Sequence, residues 1–205
     1  SGLVLGPLGY THCCIEDVGI LRTIPGITII SPSDSLETIK ALEASVKSDK
    51  SIYIRLTGSA NNPIVNNVDY KFEIGKSIHL KEGEDVTIFS AGAMVYNSLE
   101  AAEKLNEKNI SCSVINMHTI KPIDKEAIKN ACEKSKIIVS VEEHNIIGGL
   151  GSAIAEYKAT LSKSPKQLII GVDDVYSKGG SYKFLQEKHG LSPDKIVDNI
   201  LQNLK

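Results

Sequence analysis

The chain has 205 residues, of which 41% are hydrophobic and 23% charged, and its formal net charge is −2 at pH 7. This size suits one large domain or two small ones, and a nearly balanced charge without a long basic run argues against nucleic-acid binding. The apolar runs are too short for a membrane span, no secretory signal opens the chain, and four cysteines do not form a disulfide framework, so we expect no membrane partner and a cytoplasmic location.

The first forty residues predict a strand at Leu3-Val4-Leu5, a glycine-punctuated loop that ends at His12, a short helix and a second strand near Ile29. Thr11 or the backbone is expected to cap the short helix. Binding sites in open α/β sheets lie at the carboxyl ends of strands, so His12 is the candidate for chemistry. Because Ser1 rather than Met opens the sequence within a predicted strand, we expect a piece of a longer protein.

The rest of the first half predicts a helix from Leu36 to Val46, capped by Ser33 or Asp34, with Leu36, Ile39, Leu42 and Val46 on one face. A strand follows at 51–56 and places Arg55 near the sheet edge that carries His12. Residues 57–83 lack a clear period and predict a connection between domains.

The second half alternates strands and helices. Strands are predicted at 86–89, 113–116, 137–141 and 168–172, and helices end near 105, 132, 161, 188 and 203. This order is typical of an α/β fold with a mostly parallel sheet covered by helices on both faces.

Several motifs along the chain together resemble the transketolase family of thiamine diphosphate enzymes. In the first half they are Thr11-His12, Ile15-Glu16-Asp17, Arg22-Thr23-Ile24-Pro25 and Ser31-Pro32-Ser33-Asp34. In the second half they are Ser90-Ala91-Gly92, the segment 116–124, and Val-Glu-Glu-His followed by Gly-Gly-Leu-Gly over 141–151. The resemblance implies a truncated pyrimidine-binding domain with a parallel sheet over 1–70, a linker over 71–82 and a complete three-layer carboxyl-terminal domain over 83–205.

The resemblance also implies a function. The complete enzyme would transfer a two-carbon ketol unit between sugar phosphates, with thiamine diphosphate as electron sink and magnesium bound to its diphosphate. His12 matches the catalytic and substrate-binding position in the channel, and Arg55 matches an arginine that binds the sugar phosphate. We assign no cofactor-binding residue and no metal ligand, and expect the isolated chain to be inactive and to hold neither group.

One departure and several alternatives remain open. Leu8 stands where transketolases carry an aspartate that contacts the donor sugar, which leaves the sugar pair undefined. Arg55 could equally be a solvated charge at a strand end, and Glu142, Glu143 and His144 could support domain contacts.

The other family members that share both domains are 1-deoxyxylulose-5-phosphate synthase and the 2-oxoacid dehydrogenase beta subunit. A non-catalytic dimerisation or assembly module is the alternative outside enzymes. The expected partner is a missing amino-terminal part or a separate subunit, in a homodimer or heterotetramer.

Overall fold

The computed structural model describes residues 1–57, 63–66 and 70–204. Parts of the connection predicted over 57–83 lie outside these described residues. The helices are α1 (Asp17–Arg22), α2 (Ser35–Val46), α3 (Met94–Asn106), α4 (Lys125–Lys134), α5 (Leu150–Lys158), α6 (Tyr182–Lys188) and α7 (Pro193–Asn203). The strands are β1 (Thr28–Ile30), β2 (Ile52–Ile54), β3 (Ile78–Lys81), β4 (Val86–Ser90), β5 (Cys112–Asn116), β6 (Thr119–Lys121), β7 (Ile137–Asn145) and β8 (Lys166–Val172).

The larger sheet has five strands in the order β3-β5-β4-β7-β8. Four of them run parallel, and β3 pairs antiparallel with β5 at one edge. Every residue of β4 and β5 is buried, the polar Thr87 and Ser113 included, as expected for central strands of a parallel sheet that is covered on both faces. The predicted α/β fold with a mostly parallel sheet is therefore confirmed for the second half of the chain.

Helices cover both faces of this sheet and form two separate hydrophobic clusters. One cluster joins α3 and α7 to Val86, Ile88 and Val139. The other joins α4 and α5 to Phe89 and Ile138, whose side chains point to the opposite face of the sheet. The result is the three-layer arrangement expected from the sequence.

The smaller sheet has the order β2-β1-β6. Strands β1 and β2 run parallel, with Thr28 opposite Ile52. Strand β6, from the second half of the chain, pairs antiparallel with β1 and makes the sheet mixed. The two halves are therefore joined through a shared sheet. Strand β3 lies within the segment 71–82 predicted as a linker.

The strand predicted at Leu3-Val4-Leu5 is wrong. Leu3 is buried, but residues 3–5 form a turn, and Leu5 is largely exposed. A strand requires a backbone partner along its length, and in this region the described pairing is a single bridge between Gly2 and Cys14. Two short 3-10 helices follow, at Gly6–Leu8 and Tyr10–His12.

Helix α2 begins where the sequence predicted, but its burial is unexpected. The Asp34 carboxylate caps it by accepting a hydrogen bond from the Glu37 backbone N–H at 2.8 Å. The apolar residues predicted to share one face do share it, yet all are exposed: Leu36, Ile39, Leu42 and Val46. Glu37 and Ala41 on the opposite side are buried instead.

Candidate functional site

His12 ends the second 3-10 helix and is exposed. Its Nδ1 lies 3.0 Å from the Thr11 hydroxyl. Among the described residues no hydrogen bond engages Nε2, which is therefore the ring nitrogen available to meet a ligand. The sequence offered Thr11 as a cap for the following helix. That prediction is wrong, because α1 begins only at Asp17.

Two glycines give the segment Gly6–His12, hereafter the His12 loop, its shape. Gly9 has a φ of +81°, a left-handed conformation that glycine adopts without steric cost, and it separates the two 3-10 helices. A side chain at Gly6 would overlap the Leu185 side chain and the Gly180 carbonyl. The loop therefore follows a fixed path against the carboxyl-terminal region.

Leu8 lies in this same loop and is 59% exposed. Tyr10 is also exposed. The loop thus presents one imidazole among apolar and aromatic side chains.

Arg55 does not lie at the surface. It is 4% exposed, and its Nε donates to the two carboxylate oxygens of Asp17 at 3.1 and 2.9 Å. Its Nη2 donates to the backbone carbonyls of Cys14 and Glu143 at 3.2 and 3.0 Å. The alternative of a solvated strand-end charge is therefore wrong, and among the described residues no hydrogen bond or ion pair links Arg55 with His12.

The partner of Arg55 is a residue whose importance the sequence did not reveal. Asp17 is 8% exposed and also accepts a hydrogen bond from the Tyr53 hydroxyl at 2.8 Å. Burial by itself would raise the pKa of the Asp17 carboxyl, but the charge and hydrogen bonds of Arg55 outweigh it and lower the pKa below the ordinary value. Asp17 is thus held as a buried carboxylate. The signal was the Ile15-Glu16-Asp17 motif, but the pairing needed the fold.

Glu142, Glu143 and His144 hold parts of the fold together. Glu142 accepts hydrogen bonds from the Leu150 and Gly151 amides at 2.6 and 2.8 Å, which satisfies the amino terminus of α5. Glu143 accepts hydrogen bonds from the Tyr182 hydroxyl at 2.6 Å and from the Leu3 amide. Burial raises the pKa of both carboxyls.

His144 connects the two halves of the chain. Its Nδ1 lies 2.7 Å from the Asn145 carbonyl, and its Nε2 accepts a hydrogen bond from the Gly19 amide at 3.2 Å. This pair of contacts requires the neutral tautomer with its proton on Nδ1. With Glu143 bonded to Leu3, the motif supports contacts between the halves rather than a ligand.

Two further findings concern cations and membranes. Within residues 1–57, 63–66 and 70–204, no three His, Cys, Asp or Glu side chains are grouped so that they could hold a metal ion. In the same part of the chain, no helix is long and apolar enough to cross a membrane.

Comparisons with known proteins agree with these motifs. The family model described as the transketolase pyrimidine-binding domain matches residues 1–62, and the one described as the transketolase C-terminal domain matches residues 75–196. A protein of Methanocaldococcus jannaschii described as a transketolase C-terminal section is 38% identical over 100% of this chain and 64% of its own length. The chain thus spans slightly less than two thirds of the length of that relative.

A synthase and a solved structure are also similar. The 1-deoxy-D-xylulose-5-phosphate synthase of Caldanaerobacter subterraneus subsp. tengcongensis is 35% identical over 98% of this chain and 32% of its own length. A solved structure described as a split gene transketolase, inactive beta4 tetramer, superimposes with a TM-score of 0.88 and 34% identity, over 95% of this chain and 63% of that one.

Proposed function

Because this chain belongs to the transketolase family, we propose that it is the carboxyl-terminal part of an enzyme that transfers a two-carbon ketol unit between sugar phosphates. The observation that carries the proposal is the exposed His12 at the end of a glycine-shaped loop, inside the segment that matches the pyrimidine-binding domain. The domain limits 1–70 and 83–205, with a linker over 71–82, are part of this proposal, as is a cytoplasmic location.

The cofactor belongs mainly to another part of the enzyme. When bound, thiamine diphosphate supplies the electron sink of the reaction. Within the described residues no three His, Cys, Asp or Glu side chains form a group that could hold a metal ion, and we assign no step on this chain to magnesium. We propose that an amino-terminal part, either in the same polypeptide or as a separate subunit, holds the diphosphate and magnesium. The first case would give a homodimer and the second a heterotetramer. The Methanocaldococcus relative, described as a C-terminal section, and the structure of a split gene transketolase support this division.

His12 carries the chemistry assigned to this chain. Its Nε2 would hydrogen-bond a sugar hydroxyl and move a proton to or from it, while the Thr11 hydroxyl holds Nδ1. Arg55 as the phosphate ligand stays a prediction. Its buried pair with Asp17 favours a different role, which is to fix the end of β2 beside the Glu143 backbone.

The test combines this chain with the amino-terminal section of a split transketolase, thiamine diphosphate and magnesium, and measures transfer from a ketose phosphate to an aldose phosphate. We expect activity from the mixture and none from either chain alone. In the mixture, His12→Ala should lower kcat by about 10²–10⁴-fold, the contribution typical of a general acid or base. Unchanged kinetics of this variant on every sugar pair would remove His12 from the mechanism.

The related synthase makes a second activity worth measuring in the same mixture. Formation of 1-deoxyxylulose 5-phosphate without ketol transfer would assign the chain to the synthase branch. Decarboxylation of a 2-oxoacid alone would assign it to the dehydrogenase branch of the family. Assembly with the partner, with full activity retained by His12→Ala, would indicate a non-catalytic module.

A further inference from the structure

We propose that the segment Asp173–Gly180, hereafter the 173–180 loop, is a positioning element for His12, and that Tyr176 is its principal positioning residue. This inference rests on the proposed function of His12. It adds residues of the carboxyl-terminal region, more than 160 positions after His12 in the sequence, to the groups that determine the position of its side chain.

Backbone contacts join the two loops directly. The Gly180 amide donates a hydrogen bond to the Gly6 carbonyl at 3.0 Å. A side-chain carbon added at Gly179 would lie 3.2 Å from that same carbonyl and 3.5 Å from Gly9. At Gly179 and Gly180 the 173–180 loop therefore packs closely against the backbone of the His12 loop.

A tyrosine pair continues the contact toward His12. The rings of Tyr10 and Tyr176 have their centroids 5.9 Å apart with an interplanar angle of 39°. This separation lies in the range of favourable aromatic pairs. Tyr10 opens the same 3-10 helix that His12 closes, so a ring that holds Tyr10 also restricts the position of the imidazole.

The hydroxyl of Tyr176 is held from the other side of the site. It donates to Glu16 Oε1 at 3.2 Å, and Glu16 Oε2 accepts a hydrogen bond from the Ile15 amide at 2.7 Å. Tyr176 thus connects the residues before and after His12. The ring of Tyr176 contacts Tyr10 and its hydroxyl contacts Glu16. Tyr176→Phe removes only the hydroxyl contact, whereas Tyr176→Ala removes both.

The far side of the 173–180 loop is anchored in its own domain. The Ser177 hydroxyl lies 2.5 Å from His189 Nε2, and Lys188 Nζ donates to it at 3.4 Å. Ser177 is 7% exposed, whereas Tyr176 and Tyr10 are 64% and 58% exposed. Ser177 therefore fixes the loop to the fold, and the exposed tyrosine pair contributes little to the hydrophobic core. This exposure argues against a purely structural role for Tyr176.

The first measurement uses the 205-residue chain and needs no activity. The NMR signal of the His12 ring is assigned among the five histidines by its loss in His12→Gln. We expect Tyr176→Ala to shift that signal, Tyr176→Phe to shift it less, and the melting temperature to change little. Tyr96 is a partly exposed tyrosine on α3, and Tyr96→Ala is therefore the matched control, which should leave the His12 signal unchanged. A His12 signal that is identical in wild type and Tyr176→Ala overturns the proposal.

The second measurement uses the assembled enzyme. Tyr176→Ala should lower kcat about tenfold with little change in KM, within the loss of up to ~10²-fold that a 1 Å displacement of a reacting group can cause. In a His12→Ala background the same substitution should cause no further loss, because Tyr176 acts through His12. Equal losses in both backgrounds would mean a general structural effect and would overturn the proposal.

A second variant covers the case in which Tyr176→Ala does not fold. Ser177→Ala removes the anchor from the opposite side and should also shift the His12 signal, whereas Ser192→Ala, at the start of α7, should not. A shift of the His12 signal in an assembly that performs no ketol transfer would support the positioning and reject the proposed function. Ketol transfer by an assembly in which these variants leave the His12 signal unchanged would support the proposed function and reject the positioning role.

Discussion

The ion pair between Arg55 and Asp17 makes the sharpest prediction. Both side chains are buried, and Arg55 also ties the Cys14 and Glu143 carbonyls together. Arg55→Met leaves the Asp17 carboxylate without its charge partner in the interior. Removing one member of a buried pair costs about 3–5 kcal/mol, so the free energy of unfolding should fall by that amount.

A double-mutant cycle separates the pair from the individual side chains. Asp17→Asn alone should also destabilise the protein, but the variant with both substitutions should lose less than the sum of the two. The interaction energy should lie at the upper end of the ~0.5–3 kcal/mol found for residues in contact. Urea unfolding monitored by circular dichroism measures all four proteins. Lys81→Met is the control, because its 2.6 Å pair with Glu103 lies at the surface, with side chains 24% and 65% exposed, and should contribute at most about 1 kcal/mol.

The pair also predicts a pH dependence. The pKa of Asp17 is lower in the folded protein than its ordinary value. Ionised Asp17 therefore contributes its full stabilisation at pH values above the ordinary pKa, and this contribution is lost as the pH falls through the lowered pKa. Arg55→Met should abolish that component of acid sensitivity.

Kinetics of the assembled enzyme then decide between the two roles of Arg55. A structural role predicts similar effects of Arg55→Met on phosphorylated and unphosphorylated sugars. If the variant instead unfolds like the Lys81→Met control and raises KM for phosphorylated sugars alone, the buried-pair reasoning is refuted and Arg55 is a phosphate ligand.

Three further predictions address other residues. Burial lowers the pKa of His118 from 6.5 to about 4, so stability should fall by about 3 kcal/mol as the pH drops between those values, and His118→Phe should lack this component in pH-dependent urea unfolding. An unchanged slope in the variant would contradict this. Glu142→Ala leaves the first amides of α5 unpaired and should cost about 1–3 kcal/mol in urea unfolding, with faster hydrogen exchange at Leu150 and Gly151. Leu8→Asp should change the ratio of kcat/KM between donor ketoses by about 2- to 10-fold, the value of one hydrogen bond, if Leu8 and His12 line one channel. The same ratio in wild type and variant would place Leu8 outside that channel.

The elements of the second half were predictable because their signals are local. Three central strands are recognisable as short segments rich in valine and isoleucine, and their residues are almost all buried. Helix α4 begins directly after Asp124, whose side chain caps it. The resemblance to the family was equally local, since it depends on short motifs in order. His12 as the candidate residue came from that source.

The errors came from features whose partners are distant in sequence. Residues 3–5 have the composition of a strand but form a turn, since strand formation depends on a neighbouring backbone. The apolar face of α2 was visible in the spacing, but no spacing reveals that this face is exposed while Glu37 is buried among Ser33, Tyr70 and Asn116.

The sequence by itself therefore determined the fold class, the family and the loop that carries His12, because helix periods, caps and short motifs are properties of neighbouring residues. Only the tertiary structure decided that Arg55 is an interior cation, that Asp17 is its counterion, and that the 173–180 loop packs against the His12 loop. Each of these depends on groups separated by tens to more than a hundred residues, and their contacts form only when the fold brings them together.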